Sequence, residues 1–328
     1  MSVMVTGGAG YLGGQLVLEL LDAGEKVVVI DNLSTGFDWA VPDDAELIVG
    51  DAGDRLLLNH VMRSRSVDAV LHLAGAHSAP DMVADPTAYY LDHTIKAREI
   101  IAAAVANGVR HIVFPSSLAV YGAPENVPVK ETDATSPTDP YGAYKLAVEH
   151  MLDEASLAWG LGHVTLRLGH VAGADPAGRS GEATIGATHL VKIVLQAALG
   201  RRDHIAVFGT GYDTPDGTGI RDYIHVKDAA SAHLSALRHL RAGGASLRLN
   251  CSTGEGHSVL EVIDVVQRLA GRVLDVRARA PRPDDIPVLV AAVSRIRAHL
   301  DWQPQYSLLD TMLGHALAFE RRLPAKAA

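Results

Sequence analysis

Tyr141 and Lys145 stand four residues apart in Pro140-Tyr141-Gly142-Ala143-Tyr144-Lys145, and upstream Ser117 closes the run Phe114-Pro115-Ser116-Ser117. A spacing of four on a helix puts both side chains on one face. A phenol near pKa 10 is a poor base at neutral pH, but an ammonium beside it favours the phenolate. Lowering the tyrosine by about three units is worth roughly 4 kcal/mol, within reach of two nearby positive charges in a partly dry site. The Ser117 hydroxyl can hydrogen-bond the same substrate oxygen and share its proton. Taken alone, Tyr-x-x-x-Lys is common on exposed helices; Pro140 just ahead of it and the Ser-Ser pair at a strand end set this instance apart. Tyr121 and Tyr144 compete for the role of base, but neither has a lysine four residues later.

A second chemistry is written near Met1. The run Val3–Thr6 enters Thr6-Gly7-Gly8-Ala9-Gly10-Tyr11-Leu12-Gly13 and then an amphipathic stretch. Gly7 and Gly10 let the chain turn tightly and let a pyrophosphate approach the backbone, while the helix N-terminus offers N–H groups and its positive dipole end at Tyr11 and Leu12. Asp31 closes the second apolar run 18 residues after Gly13. A carboxylate there accepts ribose hydroxyls and repels a 2′-phosphate, and no arginine stands in Asn32-Leu33-Ser34-Thr35-Gly36, which favours NAD over NADP. The positive nicotinamide ring would then be the second cation near Tyr141. Asp51, ending the third run, reads equally as an adenine contact or as a cap on the next helix.

These residues need a scaffold. Apolar runs at Val3–Thr6, Lys26–Asp31, Glu46–Val49, Ala69–Leu73, His111–Ser116, His163–Leu168 and Ser246–Asn250 predict strands. Between them, Gly10–Ala23, Asp54–Arg65, Tyr89–Asn107 and Tyr141–Trp159 predict helices. The alternation predicts an α/β fold, a doubly wound parallel (Rossmann) sheet covered on both faces. After Leu168 the pattern loosens into Gly-rich loops, with helices expected at Ala187–Leu199, Lys227–Leu240, His257–Ala270 and Ser307–Arg322. We expect a dinucleotide-binding domain over residues 1–168, with 223–252 returning to it, and a smaller interleaved α/β substrate lobe over 169–222 and 253–328.

The 328 residues are 48% hydrophobic and carry a net charge of -9 without a Lys/Arg-rich run, so nucleic acid is not an expected partner. Cys251 is the one cysteine, which excludes an internal disulfide and suits the cytoplasm. The chain enters its first strand at once and no apolar run spans a bilayer, so we expect no signal peptide and a soluble cytoplasmic protein. No tight ligand spacing supports a metal site.

The chain resembles the UDP-galactose (UDP-glucose) 4-epimerase branch of the extended short-chain dehydrogenase/reductase family from about Val3 to Trp302. The landmarks are the glycine turn, Asp31–Gly36, His72-Leu73-Ala74-Gly75, and the Ser-Ser and Tyr-x-x-x-Lys motifs. Gly200–Asp203, Phe208-Gly209 and Asp216–Val226 are the stretches most specific to that branch. The resemblance implies cofactor contacts from Asn32, Ser34, Thr35, Gly36, Ala52, Leu73, Ala74, Gly75, His77 and His93, beside Tyr141 and Lys145. It implies substrate contacts from Ser117, Tyr141, His170, His189, Leu190, Val207, Phe208, Arg221, Arg282 and Asp285. Arg221 and Arg282 would grip a nucleotide diphosphate and Asp285 its ribose. It further implies a homodimer and, as chemistry, epimerisation of a UDP-hexose at C4 through a transient ketone.

Several residues depart from the family pattern. His77 stands where the family has lysine, His93 and His170 where it has asparagines, and His189 falls in its Asn-Asn-Leu segment. Asp284 replaces a glycine, and Ala292 an acid. Other reactions on the same scaffold are a 4-ketoreductase, dehydratase, decarboxylase or uronic-acid epimerase on a nucleotide sugar; a non-catalytic NAD-binding protein is a further alternative. Leu118-Ala119 stands where related dehydratases carry Asp-Glu, which counts against elimination of water. A ketoreductase needs the same three residues and differs in releasing its cofactor.

Overall fold

Period-2 burial sets the large sheet. The computed structural model describes residues 1–75, 84–282 and 285–324. In β1 (Ser2–Thr6), Val3 and Val5 join one core and Met4 the other; in β2 (Val27–Asp31), Val27 and Val29 divide from Val28 and Ile30 in the same way. A strand buried on both faces reads as an unbroken apolar run, as the sequence showed. With β3 (Glu46–Val49), β4 (Val67–His72), β5 (His111–Ser117), β6 (Gly162–Leu168) and β10 (Leu247–Cys251), these form a seven-stranded sheet in the order β10-β6-β5-β4-β1-β2-β3. Every pairing in it is parallel.

Helix α1 (Tyr11–Asp22) packs on one face with α6 (Val226–Arg241), around Leu16, Leu20, Ala230 and Leu237. The other face holds α2 (Arg55–Ser64), α3 (Pro86–Ala106) and α4 (Pro140–Trp159), around Leu58, Ile100, Val148 and Leu152. The strand order reverses between β1 and β4, so a crevice opens at their carboxyl ends, the place where such sheets bind ligands.

The rest of the chain forms a smaller lobe. In it β9 (Ile220–His225) pairs with β7 (His170–Ala172), β11 (Gly256–Ser258) and β13 (Val288–Leu289), while β8 (Ile205–Phe208) pairs with β12 (Val276–Arg279). Helices α5 (Leu190–Ala198), α7 (Val259–Ala270) and α9 (Leu309–Glu320) enclose its core around Val194, Ile205, Val262 and Leu313; α8 (Ser294–His299) returns toward the large sheet through Ile296.

Several element boundaries differ from the sequence expectation. β9 keeps its ladder with β7 to His225, and the helix expected from Lys227 begins one residue earlier, at Val226. The helix expected from His257 begins at Val259, because residues 256–258 pair with β9 and Ser258 caps the helix through a box with Glu261.

Candidate active site

The crevice is built first by the turn from β1 to α1. Gly7 has φ +74°, and a Cβ there would lie 2.7 Å from Ala74 N; a Cβ at Gly13 would lie 2.0 Å from Gly7 O. The first turn of α1 therefore sits directly on the glycine turn, which leans on the end of β4. Gly10 precedes α1 without a side-chain cap, and no acid occupies the first turn, so N–H groups at Tyr11 and Leu12 face the crevice unscreened. The Tyr11 hydroxyl donates to Gly173 O at 2.6 Å, tying this turn to the smaller lobe.

Asp31, buried at the end of β2, accepts from Ala9 N (2.9 Å) and Leu33 N (2.8 Å), which fixes its carboxylate beside the glycine turn. The loop through Asn32, Ser34, Thr35 and Gly36 folds back on that turn; a Cβ at Gly36 would lie 2.7 Å from the Ala9 carbonyl carbon. Asp51 accepts from Gly53 N at 2.6 Å and faces Lys96, beside buried Ala52. It is not the cap of α2: Asp54 is, accepting from Leu56 N and Leu57 N. Leu73, Ala74 and Gly75 line the end of β4, with Leu73 N bonded to Thr6 O. His93 lies beside Gly75, donating from Nδ1 to Tyr89 O at 2.7 Å with its ring against Tyr89 and Tyr144. His77 and Asp284 lie outside the described residues.

The catalytic candidates converge at the end of β5. Asp139 caps α4 through Gly142 N and Pro140 occupies its first turn, which sets Tyr141 one turn ahead of Lys145. Ser117 ends β5, accepts from Ala119 N at 3.1 Å and hydrogen-bonds Tyr141. Lys145 Nζ donates to Pro115 O at 2.6 Å, 5.6 Å from the centre of the Tyr141 ring. The two competing tyrosines are engaged elsewhere. Tyr121 donates to Asn250 Oδ1 at 2.7 Å, and Tyr144 is buried in the core with its hydroxyl pushed well up by burial.

The groups of the chain that surround Tyr141 do not by themselves acidify it. Burial pushes Tyr141 up to about 12, and the Ser117 hydrogen bond only partly offsets it. Burial likewise draws Lys145 down to about 7, against the pull of Glu149. Desolvation outweighs both the Ser117 hydrogen bond at Tyr141 and the Glu149 charge at Lys145.

The smaller lobe supplies a cationic end. Arg221 on β9 is partly buried, its guanidinium donating to Ile220 O at 2.9 Å; burial lowers its pKa, opposed by Asp285. Arg282 stacks 4.5 Å over the Phe208 ring, and Asp285 accepts from the Tyr212 hydroxyl at 3.1 Å. Val207, the neighbour of Phe208, points instead into the lobe core, as alternation on β8 requires. The His170 ring lies tilted against Tyr223, 5.7 Å between centres, while His189 is exposed ahead of Leu190, the first residue of α5.

Three residues here escaped the sequence reading. Tyr212 sits in the Gly-rich loop between Phe208 and Arg221 with no spacing to mark it. Phe37 and Trp39, stacked at 5.2 Å, line a small recess with Tyr11 and Thr35. Among the described residues no group of three or more His, Cys, Asp or Glu is placed to hold a metal ion, and no helix is long and apolar enough to cross a membrane.

Residues 3–252 match the NAD dependent epimerase/dehydratase family. The chain belongs to this family. The match to the epimerase/dehydratase family ends one residue after β10, so it takes in every strand of the large sheet. The chain is similar to the UDP-glucose 4-epimerase of Azospirillum brasilense, 50% identical over 98% of this chain and 92% of that one. Among solved structures it is similar to UDP-glucose 4-epimerase from Brucella ovis in complex with NAD (39% identity, TM-score 0.93, 97% of this chain and 98% of that one). It is also similar to the Bifidobacterium longum UDP-glucose 4-epimerase in complex with NAD+ and UDP (32% identity, TM-score 0.93, 99% of each chain). The epimerase/dehydratase likeness thus extends across the smaller lobe as well.

Proposed function

We propose that this chain is a UDP-hexose 4-epimerase that interconverts UDP-glucose and UDP-galactose through a transient 4-keto sugar. The observation that carries it is one crevice with a dinucleotide cradle, a Ser117–Tyr141–Lys145 cluster and a cationic nucleotide end. Relatives of that name match along the whole chain. NAD fits the cradle: Gly7 and Gly13 leave no room for a Cβ, and Asp31 stands where ribose hydroxyls would meet it. Gly7, Gly10, Tyr11, Leu12, Asp31 and the loop to Gly36 would hold it, with Asp51, Ala52, Leu73, Ala74, Gly75 and His93. When bound, NAD supplies the acceptor and donor of hydride at C4 and a positive ring beside Tyr141.

The chain's own residues do the rest. Tyr141 removes and returns the proton of the sugar 4-hydroxyl, Ser117 bonds the same oxygen, and Lys145 stabilises the phenolate. Arg221 and Arg282 hold the diphosphate, and Asp285 with Tyr212 the nucleotide ribose. Firm hold on the nucleotide and loose hold on the sugar allow the ketone to present both faces. Leu118 and Ala119, apolar beside Ser117, supply no acid–base pair for eliminating water.

The two-lobe division, 1–168 with 223–252 against 169–222 with 253–328, belongs to the same reading. So does a cytoplasmic homodimer. Exposed Tyr90, Leu91 and Ile95 on α3, with Leu157 and Trp159 on α4, support an interface there; a monomer by light scattering would refute it. The deciding experiment is incubation of the purified protein with UDP-galactose, without added NAD. Appearance of UDP-glucose is expected; no conversion, even with NAD added, would reject the reaction.

A further inference from the structure

One helical turn beyond Lys145, Glu149 is fully buried inside a charged cluster. Its Oε1 accepts from the Ser116 hydroxyl (2.5 Å) and from Arg167 Nε (3.0 Å), and its Oε2 accepts from Arg167 Nη2 (2.7 Å). Ser116 and Arg167 are themselves partners across β5 and β6. Arg248 Nε lies 3.0 Å from the same Oε2, while its other end bonds Asp153. The Arg167 guanidinium stacks 4.7 Å over Tyr121. A pair this deep is weak evidence for stability, because desolvating both charges cancels most of their attraction. Its position suggests another use. Ser116 precedes Ser117, and Pro115, one residue earlier, supplies the carbonyl that takes Lys145 Nζ.

We propose that Glu149, clamped by Arg167 and Ser116, is a positioning residue for the catalytic cluster: its charge keeps Lys145 an ammonium beside Tyr141, and its bond to Ser116 fixes Ser117. This rests on the catalytic reading given above. Lys145 is faced by Tyr141, Tyr144 and Glu149 on α4, by Phe114 and Pro115 O on β5, by His72 on β4 and by His233 on α6. His93 and Lys96 on α3 face His72 in turn. Burial holds His72 near 3 and His233 near 4, so both are neutral at working pH. Glu149 is the carboxylate that opposes the loss of the Lys145 charge.

The test is the Lys145 titration in the NAD-loaded protein, followed by 13Cε-lysine NMR and assigned by the signal lost in Lys145→Met. Glu149→Gln leaves Arg167 an unbalanced buried cation, so the Lys145 pKa falls by about one pH unit and the alkaline limb of kcat/KM for UDP-galactose falls with it. Glu149→Gln/Arg167→Met restores the net charge of the pair and returns both values toward the parent. Ser116→Ala keeps the charges and lowers kcat without moving the limb. Arg248→Gln, at the half-buried edge of the cluster, raises the Lys145 pKa by about 0.3 unit even if Glu149→Gln does not fold. An unmoved resonance in Glu149→Gln and Arg248→Gln, or a double variant no closer to the parent than the single, overturns the proposal. Shifted resonances in a parent protein that turns over no UDP-galactose would reject the reaction and leave the charge network standing.

Discussion

Arg221→Met separates binding from folding in one side chain. The guanidinium is partly buried, donates to a backbone carbonyl at 2.9 Å and, among the described residues, has no carboxylate within ion-pair reach. Burial lowers its pKa, which means the folded chain holds this charge at a cost until an anion arrives. Two charge-assisted hydrogen bonds to a diphosphate contribute about 1.5–3 kcal/mol each. Part of that is spent on ordering the side chain, leaving about 3 kcal/mol, or roughly 150-fold in Kd. Methionine keeps the apolar stem and removes the charge, so unfolding free energy should change by less than about 1 kcal/mol, in either direction. Calorimetric titration of the NAD-loaded variant with UDP measures the first quantity and thermal melting the second, while the absorbance of released cofactor reports NAD content. UDP affinity within threefold of the parent would refute the diphosphate role, and loss of NAD would mean that Arg221 serves the cofactor instead.

Tyr141→Phe keeps the ring and removes the proton acceptor, so turnover of UDP-galactose should fall at least about 100-fold with NAD still bound; near-normal turnover would assign the base elsewhere. Gly13→Ala places a Cβ 2.0 Å from Gly7 O, a backbone atom that cannot step aside, so α1 must lift off the glycine turn. That costs about 1–3 kcal/mol and weakens NAD retention, read as lower cofactor content and lower Tm. His72, His225 and His233 are buried neutral, with burial taking them to about 3, 3 and 4. Unfolded, each would take up a proton below about pH 6.5, so stability falls as pH drops from there toward 4. From pH 7 to pH 5 each should cost about 1–2 kcal/mol, and an unchanged Tm over that interval would contradict their neutrality.

The doubly wound parallel sheet was legible because apolar strand-length runs such as Val27–Asp31 alternate with helical stretches, a pattern with few topological solutions. The cofactor end was legible for a local reason: glycine spacing and a strand-terminal acid act within a single β-α-β unit. The smaller lobe was not. Its strands β7, β11 and β13 are two or three residues long, and their partners on β9 lie far away in the chain, so no periodicity announces them.

Four residues of spacing on α4 and a strand-end Ser-Ser pair marked Ser117, Tyr141 and Lys145 as candidates, and the fold brings the three together. Their proton affinities were not determined there. That Tyr141 rises to about 12 and Lys145 falls to about 7 follows from desolvation, which depends on everything packed around them. In the same way Tyr212 meets Asp285, and Glu149 meets Arg167, across many residues of intervening chain. Sequence spacing sets which groups share a helix face; only the folded chain sets the dielectric and the distant partners that decide their charge.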